Sequence, residues 1–279
     1  MSSQRAALLR LLEENDPETV RLVKEQLVSG GRNNIPEVES LLETDNEDVS
    51  IIARDILTQI ERNAAEESFL SICKNFDEYG DLEAAVWSLA RALTPGFNAE
   101  AYETRLQAWA RQLKRRLAGA ISSRERILEL SAYLAGELGF HGNTDNYYCE
   151  KNSLIPNVLD TRMGIPITLA LAYIMIGKRA DLRIDGINLP GHFIARHEDV
   201  LFDPFHKGRI LTQGDCREIL AKQNLVFDLK HLSPATPRQI LIRVLANLIY
   251  VYDLEENEES RVLVNRWFTV LANKSSREL

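Results

Sequence analysis

Between positions 165 and 176 the chain carries no charged side chain, only Ile165, Pro166, Ile167, Thr168, Leu169, Ala170, Leu171, Ala172, Tyr173, Ile174, Met175 and Ile176. The run falls well below the roughly 18 apolar residues that suggest a membrane span. Pro166 suits the first turn of a helix, where its missing N–H has no partner to lose. Leu169, Ala170, Ala172, Tyr173 and Ile176 then cover that helix nearly all round, so other elements must enclose it. Short strand-like runs follow at 183–187, 193–196 and 200–202, and His197-Glu198-Asp199 supplies the turn of a hairpin between the last two. A buried helix laid on a small antiparallel sheet makes the core α+β, in a chain that is otherwise mostly helical.

The flanks carry helical periodicity. Residues 11–23 recur weakly at 41–52, each unit pairing a leucine-rich helix end with an acidic turn and a helix that starts near a valine. This is the grammar of HEAT-like paired helices and equally of ordinary helical hairpins with similar caps. Helical pattern continues from 66 to 138, broken at Thr94-Pro95-Gly96-Phe97-Asn98, with Trp87 and Trp109 predicted to lie in the core. Two more amphipathic stretches, 239–250 and 262–271, close the chain. The expected organisation is an arm over 1–64, a helical region over 65–140, the α+β core over 141–232 and a helical hairpin over 233–279.

The formal net charge is -8, and the first 60 residues contribute 12 acidic and 6 basic side chains. Nucleic acid is therefore not the expected partner, because phosphate binding relies on clustered Lys and Arg. The one basic cluster, Lys114-Arg115-Arg116, falls at a predicted helix end, where cations favour the macrodipole. Cys73, Cys149 and Cys216 are scattered and odd in number, which suggests neither a disulfide framework nor a zinc motif. Arg10 breaks the apolar start Ala6-Ala7-Leu8-Leu9 too early for a secretory segment. A soluble, cytoplasmic protein with no membrane contact is expected; the oligomeric state is not fixed by these features.

The most patterned part of the chain holds Asn143, Tyr147, Asn152-Ser153, Arg162-Met163-Gly164-Ile165-Pro166, Leu189-Pro190-Gly191-His192-Phe193 and Asp203-Pro204-Phe205. These residues resemble the SirB-type branch of the transglutaminase-like superfamily. The resemblance implies a papain-like core in which a Gly-x-Cys opens the buried helix, an Ala follows four residues later, and a His and an Asp lie on later strands. Gly164, Ala170, His192 and Asp203 match, while Pro166 stands where the nucleophilic cysteine is expected. It also implies a cleft containing Asn143, Tyr147, Asn152, Arg162, Pro166 and Gly191, and makes the last helical hairpin similar to a tetratricopeptide-like extension.

Hairpin parity supports the pairing of His192 with Asp203. If Glu198-Asp199 form a two-residue loop, Asp203 faces Ile194, which shares a strand face with His192. A histidine base oriented by a carboxylate fits acyl-transfer chemistry, but only with a nucleophile. Thr168 reads as a threonine bonded back to its own helix, nothing around Cys149 argues for a depressed thiol pKa, and Cys216 opens what reads as another helix. The expected function is a non-catalytic protein-interaction or regulatory module binding protein or peptide in the relic cleft; the alternative is an amide or ester hydrolase or acyltransferase with an unusual nucleophile. His192, His197, Asp203 and His206 are close in sequence and could converge at one end of the hairpin, where His and carboxylate ligands suit zinc or iron, but the spacing matches no metal motif; no metal or cofactor is expected, and His197 and His206 are expected to be solvated.

Overall fold

The computed structural model describes residues 3–14, 16–94 and 96–273; Asn15 of the first repeat and Pro95 of the expected helix break lie outside them. The chain divides into two compact units, one of residues up to 71 with 91–97, the other of 72–90 with 98 onward. Among the described residues no helix is long and apolar enough to cross a membrane.

The first unit contains α1 (Ser3–Glu13), α2 (Pro17–Ser29), α3 (Ile35–Leu41) and most of α4 (Glu47–Asn75). The two acidic turns of the sequence repeat are helix starts. Asp16 Oδ2 accepts the Thr19 N–H at 2.9 Å ahead of α2, and Asn46 Oδ1 accepts the Asp48 N–H at 3.1 Å ahead of α4. Each cap satisfies a backbone donor that the helix leaves unpaired. Leu12, Val23, Leu27, Val38, Leu41, Val49, Ala53, Ile56 and Ile60 form this unit's core.

The second unit takes in part of α5 (Leu82–Leu93), then α6 (Ala99–Leu117) and α7 (Ser123–Ser131), which runs into a π-helical stretch over 132–137. Strand β1 (His141–Gly142), α8 (Ile155–Thr161) and β2 (Met163–Gly164) lead to α9 (Pro166–Arg179). Every residue from 164 to 173 is buried. The enclosure is supplied by α6, α8, β3 (Asp185–Ile187), β4 (Ile194–His197) and α11 (Pro237–Leu254), which all pack on α9. Trp87 is buried as expected, whereas Trp109 is only half-buried, covered by the guanidinium of Arg162 at 4.4 Å from its ring centre.

Strands β3, β4, β5 (Val200–Asp203) and β6 (Arg209–Leu211) form one antiparallel sheet in that order. Ala195 pairs with Phe202 and His197 with Val200, the register of a two-residue loop at Glu198-Asp199, with Glu198 at φ 51°. The sheet is wider than the sequence reading, which lacks β6, and β1 and β2 form a separate parallel pair, His141 with Met163. Two-residue strands show no alternation to detect. After α10 (Gln213–Ala221), helices α11 and α12 (Glu258–Asn273) pack on each other as a hairpin around Trp267 and Tyr252.

The fit around α9 is close at its C-terminal end. A Cβ on Gly177 would stand 2.7 Å from Ile184 Cδ1 and 2.9 Å from the Leu182 carbonyl oxygen. Gly136 in the π-helical stretch has nothing within 4 Å of the same position. Gly177→Ala is therefore expected to lower stability by about 1–3 kcal/mol through overpacking. Gly136→Ala is expected to be neutral or to stabilise by up to about 1 kcal/mol through helix propensity. Urea midpoints measure both, and equal effects at the two positions would contradict this packing.

Candidate functional site

Two turns and one strand end bring the site together. Residues 189–192 form a turn in which the His192 N–H donates to the Leu189 carbonyl at 3.0 Å. Pro190 suits its second position and Gly191, at φ 77°, its third, as in a type II turn. Gly191 is also pressed on Gln223, whose side chain would lie 2.6 Å from an added Cβ. Arg243 on α11 anchors the approach to this turn, donating to Asn188 Oδ1 at 2.6 Å and to the Leu189 carbonyl at 3.3 Å. His192 thus sits on a fixed backbone.

Asp203 ends β5, and its side chain is 3% exposed. Oδ1 accepts the N–H groups of Phe205 at 2.9 Å and His206 at 3.3 Å, which holds the chain after Pro204 in an Asx-type turn. The turn is tied down elsewhere too. Gly142 donates its N–H to the Phe205 carbonyl at 2.9 Å, and the Phe205 ring lies so close that a Cβ on Gly142 would fall 2.5 Å from it. Oδ2 faces the other way and meets His192 Nε2 and His206 Nδ1, each at 2.7 Å. One carboxylate therefore builds the turn with one oxygen and joins two imidazoles with the other.

Burial alone would push the Asp203 carboxyl up, but the hydrogen bonds and charges of His192 and His206 outweigh it and hold the group below the usual carboxylate range. An ionised carboxylate only accepts hydrogen bonds, so both imidazoles donate to Oδ2. Gly191, His192, Asp203 and His206 line a cavity of about 310 Å³, bordered by Arg209, Asp215, Glu218, Lys222 and Gln223. Arg209 pairs with Asp215 across its edge.

Asn143, Tyr147, Asn152, Arg162 and Pro166 do not line this cavity. Asn143 and Asn152 bond to each other at 3.0 Å, and the Asn152 amide also donates to the Asn146 and Tyr147 carbonyls at 2.6 and 3.0 Å, so this pair shapes its own loop. The Tyr147 ring packs edge-on against Phe205 at 6.0 Å, one side chain away from His192. Pro166 is buried at the start of α9, and Thr168 Oγ1 donates to the Asn152 carbonyl at 2.6 Å. Arg162, at φ 65°, turns onto Trp109 and Phe140 and does not line the cavity. The expected solvation of His197 is wrong. That residue is 4% exposed and its Nδ1 lies 2.8 Å from the Arg183 carbonyl, at the end of β4, an inner strand flanked by β3 and β5. His206 is 60% exposed, yet bound to Asp203. Its nearness in sequence to Asp203 is visible, but the bond between them follows from the turn and not from strand alternation.

Residues 100–246 match the model of the transglutaminase-like superfamily. The chain belongs to that superfamily. It is 33% identical over 187 residues to a UPF0162 protein of Xylella fastidiosa, covering 63% of this chain and 66% of the relative. A UPF0162 protein of Pseudomonas aeruginosa is 34% identical over 171 residues, covering 60% of this chain and 62% of the relative. Human F-box only protein 21 is 28% identical over 157 residues, 52% of this chain and 24% of that protein. The chain thus spans slightly less than two thirds of the length of these two bacterial relatives. No solved structure matches it.

Removing the carboxylate tests the centre's energetics. Asp203→Asn is expected to cost about 2–4 kcal/mol at neutral pH, since it leaves buried donors facing an amide. The folded-state pKa of Asp203 is depressed, so its contribution is present above the unfolded value near pH ~4 and fades as pH falls through the lower folded value. Denaturant melts of both forms should therefore converge in acid. A gap below about 0.5 kcal/mol at pH 7, well under the worth of a hydrogen bond to a charged group, would show that the three groups are not coupled.

Proposed function

We propose that this chain is a binding module on a transglutaminase-like fold, taking a polar segment of a partner protein into the cavity at His192, Asp203 and His206 without cysteine-dependent acyl transfer. The observation that carries this reading is the start of α9. Pro166 stands there, buried, with neither thiol nor N–H to offer. Thr168 does not replace it, because its hydroxyl is bonded to the Asn152 and Ile165 carbonyls at 2.6 and 3.2 Å. Burial pushes the Cys73 thiol up to about 12. Burial, followed by the charges of Asp215 and Asp203, raises that of Cys216 as well. Raised thiols are poor nucleophiles at neutral pH.

On this reading residues 1–64 serve as an arm, 65–140 and 141–232 as the two parts of the superfamily core, and 233–279 as a cap on its loops. Tyr252 supports the cap, donating to Glu150 Oε1 at 2.8 Å, as does Tyr250, which packs on Tyr148 at 5.4 Å. Three unpaired cysteines fit a reducing, cytoplasmic setting. A second reading, an amide or ester hydrolase or acyltransferase, has the His192–Asp203 pair in its favour but must take its nucleophile from outside the cysteines.

Two measurements separate these readings. Peptides selected from a displayed library on the purified chain should bind at least about tenfold more weakly to His192→Ala and unchanged to Cys149→Ala, a loss of about 1.4 kcal/mol. Incubation with amine-acceptor and glutamine-donor substrates should give no steady turnover. Turnover abolished by Cys149→Ala would overturn the proposal, and turnover surviving it would favour the second reading.

A further inference from the structure

The donor set at Asp203 has a chemistry that docking does not use. His192 Nε2, Asp203 Oδ2 and His206 Nδ1 all lie within 4.8 Å of one another, and both nitrogens stand 2.7 Å from the same oxygen. Two imidazoles and one carboxylate are a set that suits zinc and its neighbours in the first transition row; magnesium and calcium prefer oxygen. Bonds of about 2.0–2.2 Å to such an ion would space its ligands by roughly 3.0–3.4 Å. The two nitrogen–oxygen spacings need to open by a few tenths of an ångström, while the two nitrogens, within 4.8 Å of each other, must draw together, a movement that the exposed His206 side chain can make. We propose that His192, Asp203 and His206 bind one divalent transition-metal ion of the zinc class, with further coordination positions open to the cavity.

Three observations support this beyond the donor types. Asp203 Oδ1 is held by the Phe205 and His206 N–H groups, an outer set of hydrogen bonds that aims Oδ2 at the imidazoles and leaves it free to bind. Two donors are fixed and one can adjust. The His192 turn is pinned by Arg243 and Gln223, whereas the His206 side chain is 60% exposed and can turn to complete the set. The cavity of about 310 Å³ then gives an ion room for water or for a carbonyl or carboxylate of a ligand. No short sequence motif carries this set, because its members come from a turn, a strand end and a second turn at 192, 203 and 206. The ion replaces the two N–H donors at Oδ2, so each ring must carry its proton on the other nitrogen, Nδ1 in His192 and Nε2 in His206.

The inference stands on donor geometry and does not depend on the docking reading. Its test is a calorimetric titration of the full chain, stripped with a chelator, with Zn²⁺ alone, paired with Co²⁺ absorption to report nitrogen and oxygen ligation. One ion per chain is expected, bound at least about tenfold more weakly by His206→Ala and by His192→Ala. His231→Ala and Cys149→Ser should bind as the unaltered chain does. His206→Ala decides the matter if His192→Ala fails to fold, because that side chain lies largely outside the packed core. Absence of stoichiometric binding, binding unchanged in folded His206→Ala, or binding lost in Cys149→Ser would each overturn the site. Loss of peptide binding with zinc binding intact would instead remove only the docking reading.

Discussion

The carboxylate of Asp203 is the constraint on which the site depends. It is almost wholly buried, and a buried charge is tolerated only when its hydrogen-bonding capacity is filled. Here two backbone N–H groups fill one oxygen and two imidazoles the other. The arrangement converts a packing problem into a site. The turn that satisfies Oδ1 is the same turn that returns His206 to Oδ2, and the sheet register that buries Asp203 sets it beside the His192 turn. Asp203 is therefore at once a turn former and the hub of a polar cluster.

The fold around this hub was legible where one physical signal dominates. An uncharged apolar run opened by Pro166 can only be an enclosed helix, and α9 is one. The loop at Glu198-Asp199 sets the hairpin parity, so Asp203 lies opposite the strand that His192 precedes. Elements that depend on tertiary context were not legible. Strands β1 and β2 are two residues long, too short for alternation, and like β6 exist because neighbouring backbone lies alongside them. The π-helical stretch before Gly139 carries no distinct composition.

Within the site, sequence spacing and turn chemistry contributed differently. His192 follows Pro190-Gly191, a pair that already specifies the turn presenting it. His206 had a weaker signal, the Asp-Pro sequence three residues before it, whose Asx turn brings the third residue back toward the aspartate. Arg162 enters the cleft only through the resemblance, and its left-handed backbone turns it onto Trp109 and Phe140. Membership of the superfamily gives the frame, and the chemistry must still be argued from the groups that frame contains.

The most direct test is to observe the imidazole protons of the metal-free chain by nitrogen-detected NMR near neutral pH. An ionised Asp203 accepting two hydrogen bonds on one oxygen requires protons on His192 Nε2 and His206 Nδ1. Both should appear as protected N–H signals, and both should shift together in Asp203→Asn. Protons on the opposite nitrogens, or rings that exchange freely and ignore that substitution, would contradict a single centre built on one carboxylate.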